Sequence, residues 1–411
     1  MNKINLSLFS FKALLICSLF ILSFSCKNKA NNSSKDDDLM LKVDTALYYA
    51  TEQAKLMAKE LIDKPGKLPR TLNENGELVT SNSDWWCSGF FPGVLWYLYE
   101  NSQYPELKEL ANNYTLRVED QKYTTSNHDV GFMIFCSFGN GYRITGDTAY
   151  KYVIDTASQS LSTRFNEKIG CIRSWDYANW NKQWQYPVII DNMMNLEMLI
   201  WASKEFRNKR FAEIAKTHAN TTIKNHFRDD KSSYHVVSYD TIAGLPELKH
   251  TSQGYNHESA WARGQAWGLY GFTMMFRESG DSIYLEQAMK IADFIVNHPN
   301  LPEDKIPYWD FNAPDIPNAM RDASAGAIMC SALLELSTLA PNPQASLYHQ
   351  VATIQLQTLC SDEYLSKPGE NGNFILKHGV GHMPNKSEVD VPLSYADYYF
   401  VESLIRYKKW H

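Results

Sequence analysis

The stretch ITGDTAY at residues 144–150 decides the fold class, because similar breaks recur along the chain. Each break ends an apolar, glycine-bearing helix, and an aromatic residue then opens an amphipathic helix. The equivalent stretches are FRNKRF at 206–211, ESGDSIY at 278–284 and NPQASLY at 342–348. Their aromatic residues lie 61, 73 and 64 residues apart. This spacing indicates a degenerate repeat of helical hairpins.

Outward from these breaks, the periodicity is helical from Val43 onward, with apolar residues three and four positions apart. We predict an all-α protein with twelve helices, over residues 43–62, 88–101, 105–119, 128–145, 147–164, 190–205, 209–226, 259–279, 281–297, 322–338, 343–361 and 394–408. Six hairpins can close into an (α/α)6 barrel, a toroid with the more apolar helices inside. An open solenoid is the structural alternative.

Closure of the hairpins has a consequence for chemistry. In an (α/α)6 barrel the N-terminal ends of the six inner helices meet at one mouth. The aromatic and polar residues that open these helices are Trp85, Trp86, His128, Asp129, Asp191, Gln253, His257, Trp261, Arg263 and Trp267. Indole faces cover the apolar faces of sugar rings, and carboxylates and imidazoles transfer protons. The composition of the mouth therefore predicts a carbohydrate pocket.

Asp129 and Asp191 are 62 residues apart, which is one repeat, so we expect them on neighbouring inner helices at the same end. Two close carboxylates raise the pKa of one of them by mutual repulsion, and the apolar residues around Asp191 add desolvation in the same direction. One acid would then stay protonated near neutral pH. The alternative is that each carboxylate caps the N-terminus of its helix, and the residues alone leave both interpretations open.

Several other residues also have structural interpretations. Trp85 and Trp86 taken singly are more often core residues than sugar platforms. Arg263 needs either an anionic ligand or a structural salt bridge, and we favour a ligand carboxylate. His378 and His382, in HGVGH, are interpreted as loop residues rather than metal ligands, because glycines separate them and the sequence has no HExxH motif.

The start of the chain predicts export. Residues 1–26 contain Lys3 and the apolar run ALLICSLFILSF, which is too short to span a membrane and is typical of a signal peptide. LSFSC resembles a bacterial lipobox, in which Cys26 is lipidated and becomes the mature N-terminus; a plain cleaved signal peptide is the alternative. Residues 27–39 would be a flexible tether and residues 40–411 the folded domain. We expect membrane attachment only through Cys26, in the periplasm or at the cell surface.

The net charge of the chain is −6, which gives no indication of nucleic-acid binding.

Four motifs resemble those of a known family: NHDVGF at 127–132, IIDNMMNL at 189–196, WARGQAWGLYG at 261–271 and YADYYFVESLIR at 395–406. They resemble the unsaturated glucuronyl hydrolases, glycoside hydrolase family 88, and the likeness covers nearly the whole chain after the tether. The resemblance implies an (α/α)6 catalytic domain without metal or organic cofactor. It also implies a substrate class: lyase-generated oligosaccharides with a 4,5-unsaturated uronic acid at the non-reducing end.

The resemblance further implies roles for single residues. Asp191 would be the general acid and base, and Asp129 its essential partner. The sugar-binding residues would be Trp85, His128, Trp175, His235, Gln253, Trp261, Arg263 and Trp267, with Arg263 near the substrate carboxylate. Asp191 would protonate C4 of the C4=C5 enol ether and help water to add at C5. The hemiketal formed would open and expel the neighbouring sugar.

Three alternatives stay open at this point. The first is the related unsaturated rhamnogalacturonyl hydrolase, although the HD pair and RGQAW favour the glucuronyl family. The others are an inverting glycosidase on the same scaffold and a non-catalytic, surface glycan-binding lipoprotein. The parent polysaccharide is also open between glycosaminoglycans and ulvan. The stretch LKHGVGHMPNKSEVD at 376–390 has no clear match to the serine- and lysine-containing stretch of family members that accept sulfated sugars.

Overall fold

The computed structural model of the protein describes residues 37–410. Of the described residues, 37–45 belong to one unit and 46–410 to a second, which contains the site. The predicted signal peptide with Cys26 lies outside the described residues, as does most of the predicted tether. No helix between residues 37 and 410 has both the length and the apolar character needed to cross a membrane.

All twelve predicted helices are present. The α-helices are α1 (37–61), α2 (Phe90–Ser102), α3 (Pro105–Leu116), α4 (Asn140–Thr145), α5 (Thr148–Ser162), α6 (Leu196–Phe206), α7 (Lys209–Asn225), α8 (Ala262–Ser279), α9 (Ser282–Val296), α10 (Ala323–Leu339), α11 (Gln344–Leu359) and α12 (Ser394–Trp410). A π-helix at Gly131–Gly139 leads directly into α4, and 3-10 helices occur at Glu119–Tyr123, Ile190–Asn195 and Asn371–Asn373.

The inner ring of the barrel closes. The inner helices α2, the π-helix with α4, α6, α8, α10 and α12 contact one another in that order, and α12 packs against α2. Each of α3, α5, α7, α9 and α11 packs outside the inner helix that precedes it. Inner α8 is buried at every position from Ala262 to Met275, whereas outer α7 buries only the face that includes Phe211, Ile214 and Ala215. The predicted (α/α)6 barrel is therefore confirmed over the open solenoid.

Each repeated break is the turn of one hairpin, between an inner helix and the outer helix that follows it. Asp147, Asn208 and Asp281 cap the outer helices α5, α7 and α9, each through a side-chain oxygen that accepts a backbone N–H. The aromatic residues that follow are buried, and the three tyrosines among them donate hydrogen bonds to the preceding outer helix: Tyr150 Oη to Asn112 Oδ1, Tyr284 Oη to Asn220 Oδ1 at 3.1 Å, and Tyr348 Oη to Asp293 Oδ1 at 2.7 Å. The repeat thus specifies contacts between neighbouring hairpins as well as the helix ends.

Short strands occur that helical periodicity did not predict. They are β1 (Leu68–Leu72), β2 (Leu78–Ser81), β3 (Phe165–Asn166), β4 (Cys171–Ile172), β5 (Pro187–Ile189), β6 (Val236–Tyr239), β7 (Pro246–His250), β8 (Gly379–His382) and β9 (Ser387–Val391). The largest sheet has the antiparallel order β5-β6-β7 and pairs Ile189 with Val236. Strands of two to five residues are too short to show an alternating pattern, which is why the sequence did not reveal them.

Candidate active site

The starts of the inner helices meet at one mouth, as predicted. Trp86 precedes α2, Phe132 lies in the π-helix, Trp267 lies in α8, and Tyr395 opens α12. Ring centroids lie 4.8 Å apart for Trp86 and Tyr395, 5.6 Å for Trp86 and Phe132, and 5.2 Å for Phe132 and Trp267. These rings form an aromatic wall beside the two predicted acids.

Asp191 lies immediately behind the strand β5. The backbone N–H of Ile190 donates to the carbonyl of His235 at 3.1 Å, so the acid is placed at the end of the β5-β6 ladder. Val188 and Ile190 are fully buried. Burial raises the pKa of Asp191 to about 7, and the positive charge of Arg263 limits the increase. The apolar run ahead of Asp191 is therefore a strand, and the acid sits in the desolvated setting that the sequence predicted.

Asp129 lies just ahead of the π-helix. Its Oδ1 is 3.4 Å from Nε2 of His128. Burial, and then the charge of Asp191, raise the pKa of Asp129 to about 8. Neither carboxylate caps its helix, because Val130 and Ile189 occupy the N-cap positions and no side chain caps either end. The paired acids are therefore close enough to interact, and at least one of them is protonated at neutral pH.

Asn195 ties the two acid-bearing segments together, and the sequence analysis did not identify it. Its Oδ1 accepts the backbone N–H of Phe132 at 3.0 Å. A Cβ atom on Gly131 would lie 2.6 Å from that oxygen and 2.7 Å from the Cα of Asn195, so only glycine permits this approach. In the sequence, the one indication of this close approach is Gly131, two residues after Asp129.

His128 and His235, both at the mouth, are neutral. Burial lowers the pKa of His128 to about 3 and holds that of His235 well below its usual value. Nδ1 of His235 accepts the backbone N–H groups of Ser252 at 3.1 Å and Gln253 at 3.3 Å, so its proton is on Nε2, 3.8 Å from Oδ2 of Asp191. His128 and His235 are therefore unsuited to proton transfer near neutral pH, contrary to the expectation for imidazoles at this mouth, and the N–H at Nε2 of His235 lies close to Asp191.

Several buried polar atoms in the mouth lack a hydrogen-bond partner. They are Oδ2 of Asp191, Nε2 of His235, Nε1 of Trp267, Oη of Tyr395 and both ring nitrogens of His128. Buried polar groups are normally paired, so unpaired ones need an explanation. A polyhydroxylated ligand would supply their partners.

Two tryptophans surround these atoms. Trp261 lies against the ring of His235 with centroids 4.4 Å apart, and Trp175 meets that ring edge-on at 6.2 Å. Gln253, also at this mouth, donates from Nε2 to the carbonyl of Gly381 at 3.0 Å.

The structure places Trp86, and not the predicted Trp85, against Phe132 and Tyr395 in the aromatic wall. Trp85 is 37% exposed, and the guanidinium of Arg70 lies 4.0 Å from its ring centroid. Successive residues here point to different sides of the chain, and only Trp86 reaches Phe132 and Tyr395. Sequence position could not distinguish two adjacent tryptophans.

Arg263 is held in a structural ion pair, contrary to the preference for a ligand carboxylate. Its Nη1 lies 3.0 Å from Oδ2 of Asp322, and Nη1 and Nη2 donate to the carbonyls of Val380 and Gly381, both at 2.5 Å. The side chain is almost fully buried, and a buried charge requires a partner. Asp322, at the start of α10, already supplies one. Arg263 therefore affects the site through its positive charge, which lowers the pKa of Asp191.

The two histidines of HGVGH have different surroundings. His378 pairs with Asp390 at 2.6 Å, and His382 ends strand β8 instead of lying in a loop. Between residues 37 and 410 no group of three or more His, Cys, Asp or Glu side chains could hold a metal ion.

Comparison with known proteins places these residues in a family context. Residues 66–411 match Glycosyl Hydrolase Family 88. An unsaturated glucuronyl hydrolase of Formosa agariphila is 43% identical over 95% of this chain and 96% of the relative. The solved structure of an unsaturated glucuronyl hydrolase specific for heparin has 49% identity and a TM-score of 0.86, over 90% of this chain and 97% of that one. A mutant of the Streptococcus agalactiae unsaturated glucuronyl hydrolase complexed with dGlcA-GalNAc6S has 28% identity and a TM-score of 0.77, over 90% and 93%.

Proposed function

The chain belongs to glycoside hydrolase family 88, and from that premise we propose that it removes a 4,5-unsaturated uronic acid from the non-reducing end of lyase-generated oligosaccharides. The observation that carries this function is the set of unpartnered buried polar atoms around a buried acid pair in which at least one carboxyl is protonated at neutral pH. Sugar hydroxyls and the uronic carboxylate would complete these hydrogen bonds. The aromatic wall would cover the apolar face of the ring.

The reaction needs only proton transfer and water. Protonated Asp191 donates its proton to C4, and the positive charge that develops at C5 is shared by the ring oxygen. The Asp191 carboxylate then takes a proton from water as the water oxygen bonds to C5. The hemiketal opens by breaking the bond between C5 and the ring oxygen, which becomes a hydroxyl on C1. The hemiacetal at C1 then releases the neighbouring sugar as an alcohol and leaves an aldehyde.

The two acids divide the work through their electrostatics. A raised pKa keeps the donor protonated at neutral pH, where an ordinary aspartate would be ionised. When one acid is protonated and the other charged, the charged one stabilises the cation that develops at C5. A glycan-binding protein would have no use for such a pair. An inverting glycosidase would also need a water held for direct attack at the anomeric carbon.

A heparin-type fragment is the substrate that we propose first. Its support is the 49% identity to the heparin-specific enzyme, compared with 28% identity to the enzyme complexed with dGlcA-GalNAc6S. Chondroitin, hyaluronan and ulvan fragments are the alternatives. They share the unsaturated uronic acid and differ in the sugar next to it.

We also propose that the protein is exported and lipid-anchored at Cys26, in the periplasm or at the cell surface. Support comes from the apolar run before LSFSC and the polar stretch after it. Labelling cells with a fatty-acid analogue should mark the wild-type protein and not Cys26→Ser. Equal labelling of the two proteins would contradict the anchor.

The function is tested by the ultraviolet absorbance of the conjugated double bond, with protein lacking residues 1–26 and unsaturated disaccharides from heparin, chondroitin, hyaluronan and ulvan. We expect loss of absorbance on at least one of them, fastest with heparin. Asp191→Asn should lower kcat at least about 10²-fold, while Asp63→Asn, at an exposed carboxylate in the turn after α1, should behave like wild type. Wild-type turnover by Asp191→Asn would reject the mechanism. No turnover on any disaccharide by folded protein would favour the rhamnogalacturonyl relative.

A further inference from the structure

A loop rich in tryptophan borders the mouth beside the catalytic acid. Its sequence is WDYANWNKQW, residues 175–184. Trp175 meets the ring of His235, whose Nε2 is 3.8 Å from Oδ2 of Asp191. The ring of Trp180 lies 5.1 Å from that of Trp175. The aromatic groups therefore form a continuous path from the acid to the outer surface.

Trp180 is the exposed end of this path. Its side chain is 57% exposed, whereas Trp184 behind it is only 3% exposed. The Trp180 ring meets those of Trp175 and Trp184 at steep angles, 66° and 83°. The buried rings therefore support Trp180 by edge contacts, and a large part of its apolar surface is left open.

Hydrogen bonds on both sides of Trp180 hold the loop that exposes it. Asn181, next to it, is buried, and its Oδ1 accepts the N–H of Ala178 at 2.7 Å while its Nδ2 donates to the carbonyl of Asp176 at 2.9 Å. Nε1 of Trp184 donates to Nδ1 of His250 on β7 at 3.1 Å. A loop held from both sides that still exposes an indole is pre-organised for a ligand.

We propose that Trp180 is the platform for the third sugar unit of the substrate, so that the enzyme acts better on unsaturated tetrasaccharides than on disaccharides. This inference rests on the proposed function, because the first unit must lie at Asp191. The second unit then lies by Trp175, and the 5.1 Å between the ring centroids of Trp175 and Trp180 is comparable to the length of one sugar ring. Indole presents a flat apolar face that suits the C–H face of a pyranose, whatever its sulfation.

The test compares an unsaturated disaccharide and an unsaturated tetrasaccharide that the same lyase makes from the same polysaccharide. In the wild type, kcat/KM should be higher for the tetrasaccharide. Trp180→Ala should lower the ratio of the two kcat/KM values about tenfold, which corresponds to ~1.4 kcal/mol, mainly through the tetrasaccharide KM. Trp180→Phe should restore part of that ratio because it restores a ring.

The control is Tyr104→Ala, since Tyr104 is 58% exposed but follows α2 at the opposite end of the barrel. It should leave the ratio at the wild-type value. An unchanged ratio in Trp180→Ala would overturn the proposal, and so would an equal fall of both substrates, which would indicate a loss of loop structure. Failure of the proposed function would be distinct, because the wild type would then fail to turn over either substrate.

Discussion

Oδ1 of Asn195 accepts a hydrogen bond from the backbone N–H of Phe132 at 3.0 Å. Asn195 ends the 3-10 helix that contains Asp191, and Phe132 follows Asp129 by three residues. One hydrogen bond therefore joins the segments that carry the two acids. This bond helps to hold the two acids in place relative to each other, where burial first, and then the charge of Asp191, raise the pKa of Asp129.

Replacing Asn195 should affect catalysis more than binding. Asn195→Ala removes the acceptor and lets the acid segments shift, so we expect kcat to fall roughly 10- to 100-fold with a smaller change in KM. Steady-state kinetics and the pH profile of kcat/KM measure the effect. Asn140→Ala, at a buried asparagine on α4, controls for the general loss of a buried amide. If the two variants have equal kinetics, Asn195 does not position the acids.

Activity should decline above neutral pH. The proton donor must be protonated, and burial raises the pKa of Asp191 to about 7. As the pH increases through that pKa, the protonated fraction falls, so kcat/KM should fall tenfold for each further pH unit. A pH series with buffer controls for protein stability tests this. A profile that stays flat to pH 9 would rule out Asp191 as the acid with a pKa near neutrality.

Ionisation of Asp129 should lower the free energy of unfolding as the pH increases. The pKa of Asp129 is higher in the folded protein, about 8, than the usual value of 3.8, so the folded state binds the proton more tightly. Stability is therefore greatest at low pH and is lost as the pH increases between those two values. Asp129→Asn removes this penalty and should raise Tm at pH 8 by about 2 °C or more, with little change at pH 4. An equal shift at both pH values would mean that ionisation is not the cause.

Two adjacent tryptophans should differ in their effect on activity. Trp86 contacts Phe132 and Tyr395 in the mouth, so Trp86→Ala should lower kcat/KM about tenfold or more. Trp85 packs only against Arg70 among the described ring and cation contacts, so Trp85→Ala should keep the wild-type value. Kinetics on the same disaccharide, with melting curves for both proteins, make the comparison. A larger fall in kcat/KM for Trp85→Ala than for Trp86→Ala would show that Trp85 lines the pocket.

The sequence by itself determined the barrel and the acid pair. Helical periodicity and the break stretches specify hairpins locally, because caps such as Asp147 and buried aromatics such as Tyr284 act over a few residues or between neighbouring helices. The one-repeat spacing of Asp129 and Asp191 placed them at one end because each repeat returns the chain to the mouth. These features depend on regular geometry, which periodicity reports directly.

The tertiary structure alone decided how the side chains of the mouth are partnered. Arg263 pairs with Asp322, 59 residues away. Trp86, and not Trp85, contacts Tyr395 in the wall, and Asn195 accepts a hydrogen bond from the backbone of Phe132. The strand β5 formed because β6, nearly 50 residues later, supplies its partner. Such contacts join segments that are distant in sequence, and their energies depend on distances of a few ångströms and on burial, which no local pattern of residues contains.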